Sequence, residues 1–411
     1  FITLLLKKYD KLITMKIAFL TAGGIAPCLS ASIGALIQAY NELDGDAELI
    51  GYMNGYRGLL VGDKINISSS VKNKADILFQ FGGSPIGNSR IKLTNVDDCV
   101  KRGYIDAGQD PLKVAADQLV NDEVDILHTI GGDDTNTMAA QLSLYLKNNN
   151  YDLTVVGLPK TVDNDVYPIT QTLGAWTAAE QGAIFFENIS NENTTSHRQL
   201  IIHEVMGRNC GWLTAYTAKE YRERLKKRTF LPELLIDQQR WDIDAIYIPE
   251  KDFDFDLECE RLKVVMDEKD SINIFLSEGA GTKTIINELQ ASGESITLDA
   301  FGHVALDELN PGQWFAKKFS EKLDAEKTLV QKSGYFARSA APNSRDIDLI
   351  TNSSKLAADF AFKGESGVLG MDENAEGKLK LIDFERIKGG KPFDIEQNWF
   401  NDLLDDIGQP K

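Results

Sequence analysis

A short acidic turn, GGDD at 131–134, combines residue types that can hold a phosphate and a metal ion. Its two glycines follow an apolar run and let backbone amides approach an anion, while the helix start behind them adds its positive end. Asp133 suits Mg²⁺, a hard cation that prefers carboxylate and phosphate oxygens. The alternative is an ordinary acidic turn in which an aspartate caps the next helix.

The turn PKTVDND at 159–165 places a lysine and two aspartates behind the next apolar run. A carboxylate in this turn can accept a proton from a hydroxyl group, and Lys160 can bind a phosphate. A turn rich in Asx residues without a catalytic role is the other interpretation.

Four further glycine turns follow predicted strands or loops, and three of them end in arginine. They are TAGGIAPCLS at 21–30, FGGSPIGNSR at 81–90, MGR at 206–208 and GYFAR at 334–338. An arginine can fork onto phosphate or sugar oxygens. For each turn taken alone, an arginine exposed to solvent is the commoner case.

The elements that must position these turns are apolar strands alternating with helical stretches. Strands are predicted at 16–22, 125–130, 153–158, 200–205, 245–248 and 272–276, and helices at 30–43, 136–147 and 173–189. This alternation indicates α/β architecture with parallel sheets covered on both faces. Because ligands of such sheets bind at the carboxyl ends of strands, the polar turns fall where chemistry is expected.

Three stretches are predicted to lie outside this framework. Residues 220–240 indicate an exposed helix and loop, and the acidic tail after Asp372 indicates a peripheral addition. Residues 1–14, ahead of Met15, are interpreted as a non-native or upstream leader, with a short amphipathic anchor as the alternative.

Composition limits the possible functions. A chain of 411 residues predicts two or three domains, and no apolar run approaches the roughly 18 residues of a membrane helix. The net charge of −18 argues against binding to nucleic acid or anionic membranes, so anionic substrates would need local basic pockets. Four widely spaced cysteines indicate free thiols and a cytoplasmic location.

Together and in this order, the turns resemble those of the phosphofructokinase family from about residue 15 to about residue 345. The resemblance implies two Rossmann-like parallel-sheet domains with the active site in the cleft between them. It places a donor-binding domain at 15–170, completed by part of 340–411, and a fructose 6-phosphate-binding domain at 171–339. It also implies reversible phosphoryl transfer to the 1-hydroxyl of fructose 6-phosphate, with Mg²⁺.

The resemblance further implies roles for single residues. Asp163 is the expected proton acceptor and Asp133 the expected Mg²⁺ ligand, with Thr161 and Asp165 beside them in the substrate site. The expected donor-binding residues are Gly23, Gly24, Arg90 and Lys160. The rest of the fructose 6-phosphate pocket is expected to contain Met206, Gly207, Arg208, Glu278, Tyr335 and Arg338.

Two positions predict the phosphoryl donor. Members that use ATP carry GGDG, whereas this chain has Asp134, whose carboxylate would fill the space of a nucleotide α-phosphate and repel it. Two unit charges about 4 Å apart repel by about 4 kcal/mol at an effective dielectric near 20. Lys160 suits the compact charge of inorganic pyrophosphate, so Asp134 together with Lys160 resembles the pyrophosphate-dependent branch. With Asp163 and Arg90, these two residues form the expected catalytic set.

Two other functions remain open from the sequence. One is an ATP-dependent 6-phosphofructokinase, and the other is a catalytically silent regulatory subunit that binds sugar phosphate. The silent subunit would be expected to lack Asp133 or Asp163, and both are present. Because sugar sites in the family are shared between subunits, the resemblance implies a homodimer or homotetramer.

Overall fold

A computed structural model describes residues 14–291 and 309–410, which form two compact units. The first falls within Phe1–Thr177 and Arg338–Lys391, and the second within Ala178–Ala337 and Pro392–Lys411. The leader predicted at 1–14 lies outside the described residues, apart from Thr14. The assignment of donor binding to one unit and sugar binding to the other stays a prediction.

Both units are built on sheets whose strands include every one predicted from the apolar runs. In chain order the strands are β1 Lys16–Thr21, β2 Glu48–Tyr52, β3 Lys64–Asn66, β4 Ile126–Gly131, β5 Thr154–Pro159, β6 Gln199–Val205, β7 Ala245–Tyr247, β8 Ser271–Ser277, β9 Lys327–Lys332, β10 Gly367–Asp372 and β11 Lys378–Ile382. Strands β2, β3, β9, β10 and β11 were not predicted.

The helices described in the structure surround these sheets. They are α1 Leu29–Leu43, α2 Tyr56–Val61, α3 Ser69–Lys72, α4 Val96–Lys101, α5 Pro111–Asn121, α6 Asp133–Asn148, α7 Ala175–Ile189, α8 Trp212–Leu225, α9 Gln238–Trp241, α10 Phe255–Lys269, α11 Thr282–Ala291, α12 Pro311–Leu323, α13 Gly334–Arg338, α14 Ser344–Phe362 and α15 Asn398–Asp406. Within the part of the chain that is described, none of them has the length and apolar character to cross a bilayer.

The first unit contains a seven-stranded sheet in the order β11-β10-β5-β4-β1-β2-β3. The inner strands are parallel, while β3 and β11 close the edges in antiparallel fashion. Strands β4 and β5 are buried along their whole length, as expected for parallel strands covered on both faces. Their carboxyl ends therefore deliver the GGDD and PKTVDND turns to the same edge of the sheet.

The second unit contains a parallel sheet in the order β7-β8-β6-β9. Strands β6 and β8 are fully buried, and Tyr247, Phe315 and Phe319 form an aromatic part of the core on one face. The turns after β6 and β8 leave the sheet side by side, because the two strands are paired in register from Gln199 with Ser271 to Val205 with Ser277.

One prediction about the periphery was confirmed over most of its length, and another was wrong. The stretch at 220–240 contains the end of α8 and a loop whose residues are mostly exposed, as predicted, although Arg222 is only 8% exposed and forms ion pairs with Asp242 and Asp406. The tail after Asp372 is not a peripheral addition, since β11 extends the first sheet by pairing with β10. All four cysteines are free, as predicted, and all four are buried.

Candidate active site

The turn after β1 gathers three cationic side chains around two glycines of the first unit. A Cβ atom at Gly23 would lie 3.2 Å from Nζ of Lys160, and one at Gly24 would lie 3.5 Å from Nη1 of Arg338 and 3.6 Å from Nη2 of Arg90. Gly23 has φ +85°, a backbone conformation that favours glycine. Small residues here leave a space lined by positive charge, which suits a compact anion.

Lys160 is the most deeply buried of these cations, at 4% exposure. Its Nζ donates a hydrogen bond of 2.6 Å to the carbonyl oxygen of Gly24. Burial, with the nearby charges of Arg90 and Arg338, lowers the pKa of Lys160 to about 8. A bound anion would favour the charged form, so this lysine is poised to respond to a phosphate.

Asp133 and Asp165 form an acidic counterpart to these cations. Asp133 is the first residue of α6, directly after the glycine pair of GGDD. Burial, followed by the charge of Asp133, raises the pKa of Asp165, so the two carboxylates lie close enough to repel each other. Such repulsion is relieved by a cation between them.

The turn after β5 is held by a chain of local hydrogen bonds. The hydroxyl of Thr161 accepts from the backbone N–H of Asp163 at 3.1 Å and donates to Oδ1 of Asp165 at 3.2 Å. The carbonyl of Thr161 accepts from the hydroxyl of Thr172 at 2.7 Å. These bonds fix the position of Asp163, which is half-buried, relative to Lys160 on the same turn.

Asp134 behaves differently from its neighbour Asp133. Its side chain is 62% exposed and forms an ion pair of 2.9 Å with Lys92, a residue that belongs to none of the predicted motifs. Lys92 neutralises part of the charge on which the repulsion argument against nucleotides depends. The volume of the Asp134 side chain therefore counts for more than its charge in that argument.

The second unit brings together another set of predicted residues at the ends of β6 and β8. The N–H of Gly207 donates to Oε1 of Glu278 at 3.3 Å, and the N–H of Glu278 donates to the carbonyl of Val205 at 2.9 Å. Gly207 has φ +131°, which favours glycine. Its neighbours Met206 and Arg208 are half-buried on the same turn.

The GYFAR residues divide between the two sets. Tyr335 lies in α13, after the strand that pairs with β6, and is 73% exposed. Arg338 belongs to the first unit, where it lies against Gly24 beside Arg90. Its contact with the sugar phosphate stays a prediction. The structure shows in addition that Arg338 lies close to the turn after β1, which is the predicted donor-binding turn.

A family model described as phosphofructokinase matches residues 16–361 of the chain. The chain belongs to the phosphofructokinase family. The match includes every candidate residue named so far, from Gly23 to Arg338. It ends before β10 and β11.

Individual relatives in the phosphofructokinase family agree with this assignment. A pyrophosphate--fructose 6-phosphate 1-phosphotransferase of Methylomonas methanica is 58% identical over 396 residues, which cover 96% of this chain and 97% of the relative. A protein of the same name from Propionibacterium freudenreichii subsp. shermanii is 57% identical over 395 residues, which cover 96% and 98%.

A solved structure gives the same fold at lower identity. The pyrophosphate-dependent phosphofructokinase from Marinobacter aquaeolei superposes with a TM-score of 0.68 at 19% identity, covering 97% of this chain and 92% of that one. At this level of identity the likeness concerns the fold alone.

Phosphofructokinases transfer phosphoryl groups with a divalent metal ion, and the acidic residues of the first unit fit such an ion. Asp133 and Asp165 are carboxylates whose charges interact, and carboxylates are the hard oxygen donors that Mg²⁺ prefers. Among residues 14–291 and 309–410, no group of three or more His, Cys, Asp or Glu side chains could hold a metal by itself. One or two carboxylates completed by substrate phosphates are the usual way in which Mg²⁺ is bound.

Sequence reasoning missed Lys92 and the segment KGGK at 388–391. A Cβ atom at Gly389 would lie 1.9 Å from Oδ2 of Asp133, so this tail segment lies directly against a predicted metal ligand. The only signal in the sequence is the glycine pair flanked by lysines, in a tail of otherwise acidic character. That signal does not show which part of the fold the segment meets.

Proposed function

We propose that this phosphofructokinase is a pyrophosphate-dependent 6-phosphofructokinase. It transfers one phosphoryl group from inorganic pyrophosphate to the 1-hydroxyl of fructose 6-phosphate, giving fructose 1,6-bisphosphate and orthophosphate. One phosphoanhydride bond breaks and one phosphoester bond forms, so the reaction runs readily in both directions.

The observation that carries this proposal is the cluster of cations around Gly24. Lys160 is buried there with its ammonium group on the Gly24 carbonyl, and Arg90 and Arg338 approach the same glycine. A buried cation with a lowered pKa is stabilised by a ligand that brings dense negative charge. Pyrophosphate carries such charge on a short molecule.

Asp134 and the relatives support pyrophosphate over ATP. The Asp134 side chain occupies the start of α6, where ATP-using members have glycine, and Lys92 holds it in place. The relatives at 57–58% identity are named for pyrophosphate.

The chain performs the transfer mainly by positioning and by neutralising charge. Asp163 takes the proton from the sugar 1-hydroxyl as that oxygen attacks the phosphorus atom. Lys160 and Arg90, with the backbone amides at Gly23, stabilise the charge that develops on the phosphoryl oxygens. Asp133 and Asp165 would hold Mg²⁺, which supplies positive charge to the pyrophosphate oxygens when bound.

The turn of the second unit provides the fructose 6-phosphate site in this proposal. Arg208 forks onto sugar or phosphate oxygens, and Gly207 lets the main chain approach the ligand. Glu278 orients this turn through its hydrogen bond to the N–H of Gly207. Met206 and Tyr335 supply the remaining contacts, and Arg338 binds the phosphate of the sugar.

We also propose that the enzyme is a cytoplasmic homodimer or homotetramer. Leu234 and Leu235 are 68% and 76% exposed in the second unit, and exposed apolar residues of this kind are common at subunit contacts. The four free thiols suit a reducing compartment. Light scattering on the purified protein measures the number of subunits.

The deciding experiment compares phosphoryl donors on the same preparation. Fructose 1,6-bisphosphate formation is measured with pyrophosphate and with ATP, each with Mg²⁺ and saturating fructose 6-phosphate. We expect kcat/KM to be at least about a hundredfold higher with pyrophosphate than with ATP. A ratio of about a hundredfold corresponds to roughly the free energy of two hydrogen bonds to charged groups. Preference for ATP would refute the proposal, and sugar phosphate binding without turnover would indicate the silent subunit.

A further inference from the structure

The segment Lys388–Lys391 is fastened to the turn that carries Asp163 and Asp165. The N–H of Lys388 donates to the carbonyl of Tyr167 at 3.0 Å, and the N–H of Tyr167 donates back to Lys388 at 2.8 Å. The N–H of Lys391 donates to the carbonyl of Asp165 at 2.9 Å. Both ends of the segment are thereby fixed to the catalytic turn by its main chain.

Between these anchors, the main chain passes over Asp133. A Cβ atom at Gly389 would lie 1.9 Å from Oδ2 and 2.6 Å from Cγ of Asp133, distances that no side chain allows. Gly390 follows with φ +74°, in the left-handed region that favours glycine. The two glycines let the segment lie in contact with the carboxylate, so Gly389 limits where that carboxylate can point.

The two lysines of the segment have different surroundings. Nζ of Lys391 donates to the carbonyl of Ile169 at 3.1 Å and pairs with Glu373 at 2.9 Å, so its charge is already committed. Lys388 is exposed, and it forms no ion pair with any residue that the structure describes. In a chain with net charge −18, an exposed lysine whose main chain is fixed next to the glycine that touches Asp133 is a candidate for binding an anion.

The reach of Lys388 fits an anion bound next to Asp133. Its Cα atom is about 3.8 Å from that of Gly389, and its ammonium group sits on a flexible four-carbon stem. In the proposed function, Lys160 and Arg90 at Gly24 serve one end of a bound pyrophosphate. Orthophosphate gains charge as it leaves, and a cation near the predicted metal ligand would stabilise that charge.

We propose that Lys388 is a further pyrophosphate-binding residue and that Gly389 is a positioning residue for Asp133. This inference rests on the proposed function, because it assumes that Asp133 lies at the donor. It assigns a role to a segment that lies beyond residues 16–361, the part of the chain that the phosphofructokinase model matches.

The first test removes the charge of Lys388 with Lys388→Gln. The matched control is Lys380→Gln, which neutralises an exposed lysine on β11 of the same unit. Calorimetry with Mg²⁺ and methylenediphosphonate, a pyrophosphate analogue that is not cleaved, measures donor binding apart from turnover. Steady-state assays give KM for pyrophosphate and for fructose 6-phosphate.

We expect Lys388→Gln to weaken analogue binding and raise the pyrophosphate KM by about tenfold, the effect of losing one hydrogen bond to a charged group. The fructose 6-phosphate KM should change less than twofold, Lys380→Gln should match the wild type, and Lys388→Arg should restore most of the binding. Unchanged analogue binding in Lys388→Gln, or an equal loss for both substrates, would overturn the role of Lys388.

The second test adds one methyl group at Gly389. Gly389→Ala must displace the Asp133 carboxylate, whereas a Cβ at Gly390 meets nothing within 4 Å, so Gly390→Ala measures backbone strain alone. We expect Gly389→Ala to raise the Mg²⁺ concentration for half-maximal activity at least fivefold and to weaken Mg²⁺-dependent analogue binding. Equal behaviour of the two variants, with matching melting temperatures, would refute the positioning role.

The wild type distinguishes failure of this inference from failure of the proposed function. If the wild type uses pyrophosphate and Lys388→Gln binds the analogue normally, only the inference is wrong. If the wild type neither uses pyrophosphate nor binds its analogue, the proposed function is wrong and the inference falls with it.

Discussion

In the first unit, Lys160, Arg90 and Arg338 meet at Gly24, whereas in the second unit the main chain of Gly207 is held by the side chain of Glu278. Lys160 is 4% exposed and has a lowered pKa, and the pKa of Asp165 is raised. On the proposed donor side, burial and neighbouring like charges therefore disfavour the charged forms of Lys160 and Asp165.

The second turn is organised by hydrogen bonds to its backbone. Glu278 accepts from the N–H of Gly207, and its own N–H is bound to Val205. From this difference we expect the proposed donor side to respond to changes of charge and pH, and the proposed sugar side to respond to the shape and single arginine of its turn.

The largest effect is expected from loss of the proposed base. Asp163→Ala should lower kcat by about a thousandfold, within the range for loss of a general base. Binding of fructose 6-phosphate should persist, because Asp163 is proposed to act on the proton rather than to anchor the sugar. Stopped assays for turnover and calorimetry for binding separate the two effects, and near-normal turnover would show that the base lies elsewhere.

Lys160 tests the electrostatic character of the proposed donor side. Lys160→Met should lower kcat/KM for pyrophosphate by roughly a hundredfold, through loss of a hydrogen bond to a charged group in a buried place. Because the pKa of Lys160 is lowered to about 8, the cation is present below that pH and lost above it. The kcat/KM of the wild type for pyrophosphate should therefore fall as pH rises through about 8.

Lys160→Arg is the matched variant for this pH dependence. Arginine stays charged at every pH of interest, so the decline near pH 8 should disappear even if the absolute rate is lower. A decline that persists unchanged in Lys160→Arg would assign it to another group.

Arg208 tests the second turn in the same way. Arg208→Gln should raise the fructose 6-phosphate KM by roughly thirtyfold and leave the pyrophosphate KM within a factor of two. Arg208→Lys keeps the charge but loses the planar fork, so an intermediate KM is expected. Equal losses for both substrates would contradict the division of labour between the two turns.

The smallest effect is expected at Asp134. Asp134→Gly should raise kcat/KM for ATP by about tenfold, less than repulsion between two full charges would give, because Lys92 already balances this exposed carboxylate. Asp134→Asn keeps the volume and removes the charge, so it should admit less ATP than the glycine variant. The reverse order would mean that charge outweighs volume at this position.

Local structure was predictable where the chemistry is local. The strand predicted at 16–22 is β1 at Lys16–Thr21, and the turns at 131–134, 159–165 and 206–208 follow their predicted strands. The helix predicted from residue 136 begins at Asp133, because Gly132 is its extended N-cap and two acidic residues stabilise the positive end of the helix. The tail after Asp372 was misjudged because β11 gains its place by pairing with β10, which itself pairs with β5, about two hundred residues earlier in the chain.

The sequence by itself determined which residue types follow each strand. Apolar runs form buried strands, and a few glycine and aspartate residues directly after a strand form a turn that can hold a phosphate. Only the tertiary structure decided that Lys160 reaches Gly24 across 136 residues, that Lys92 holds Asp134, and that Gly389 lies on Asp133. The physical reason is that parallel strands bring the ends of distant segments to one edge, and burial there changes the charge behaviour of Lys160 and Asp165.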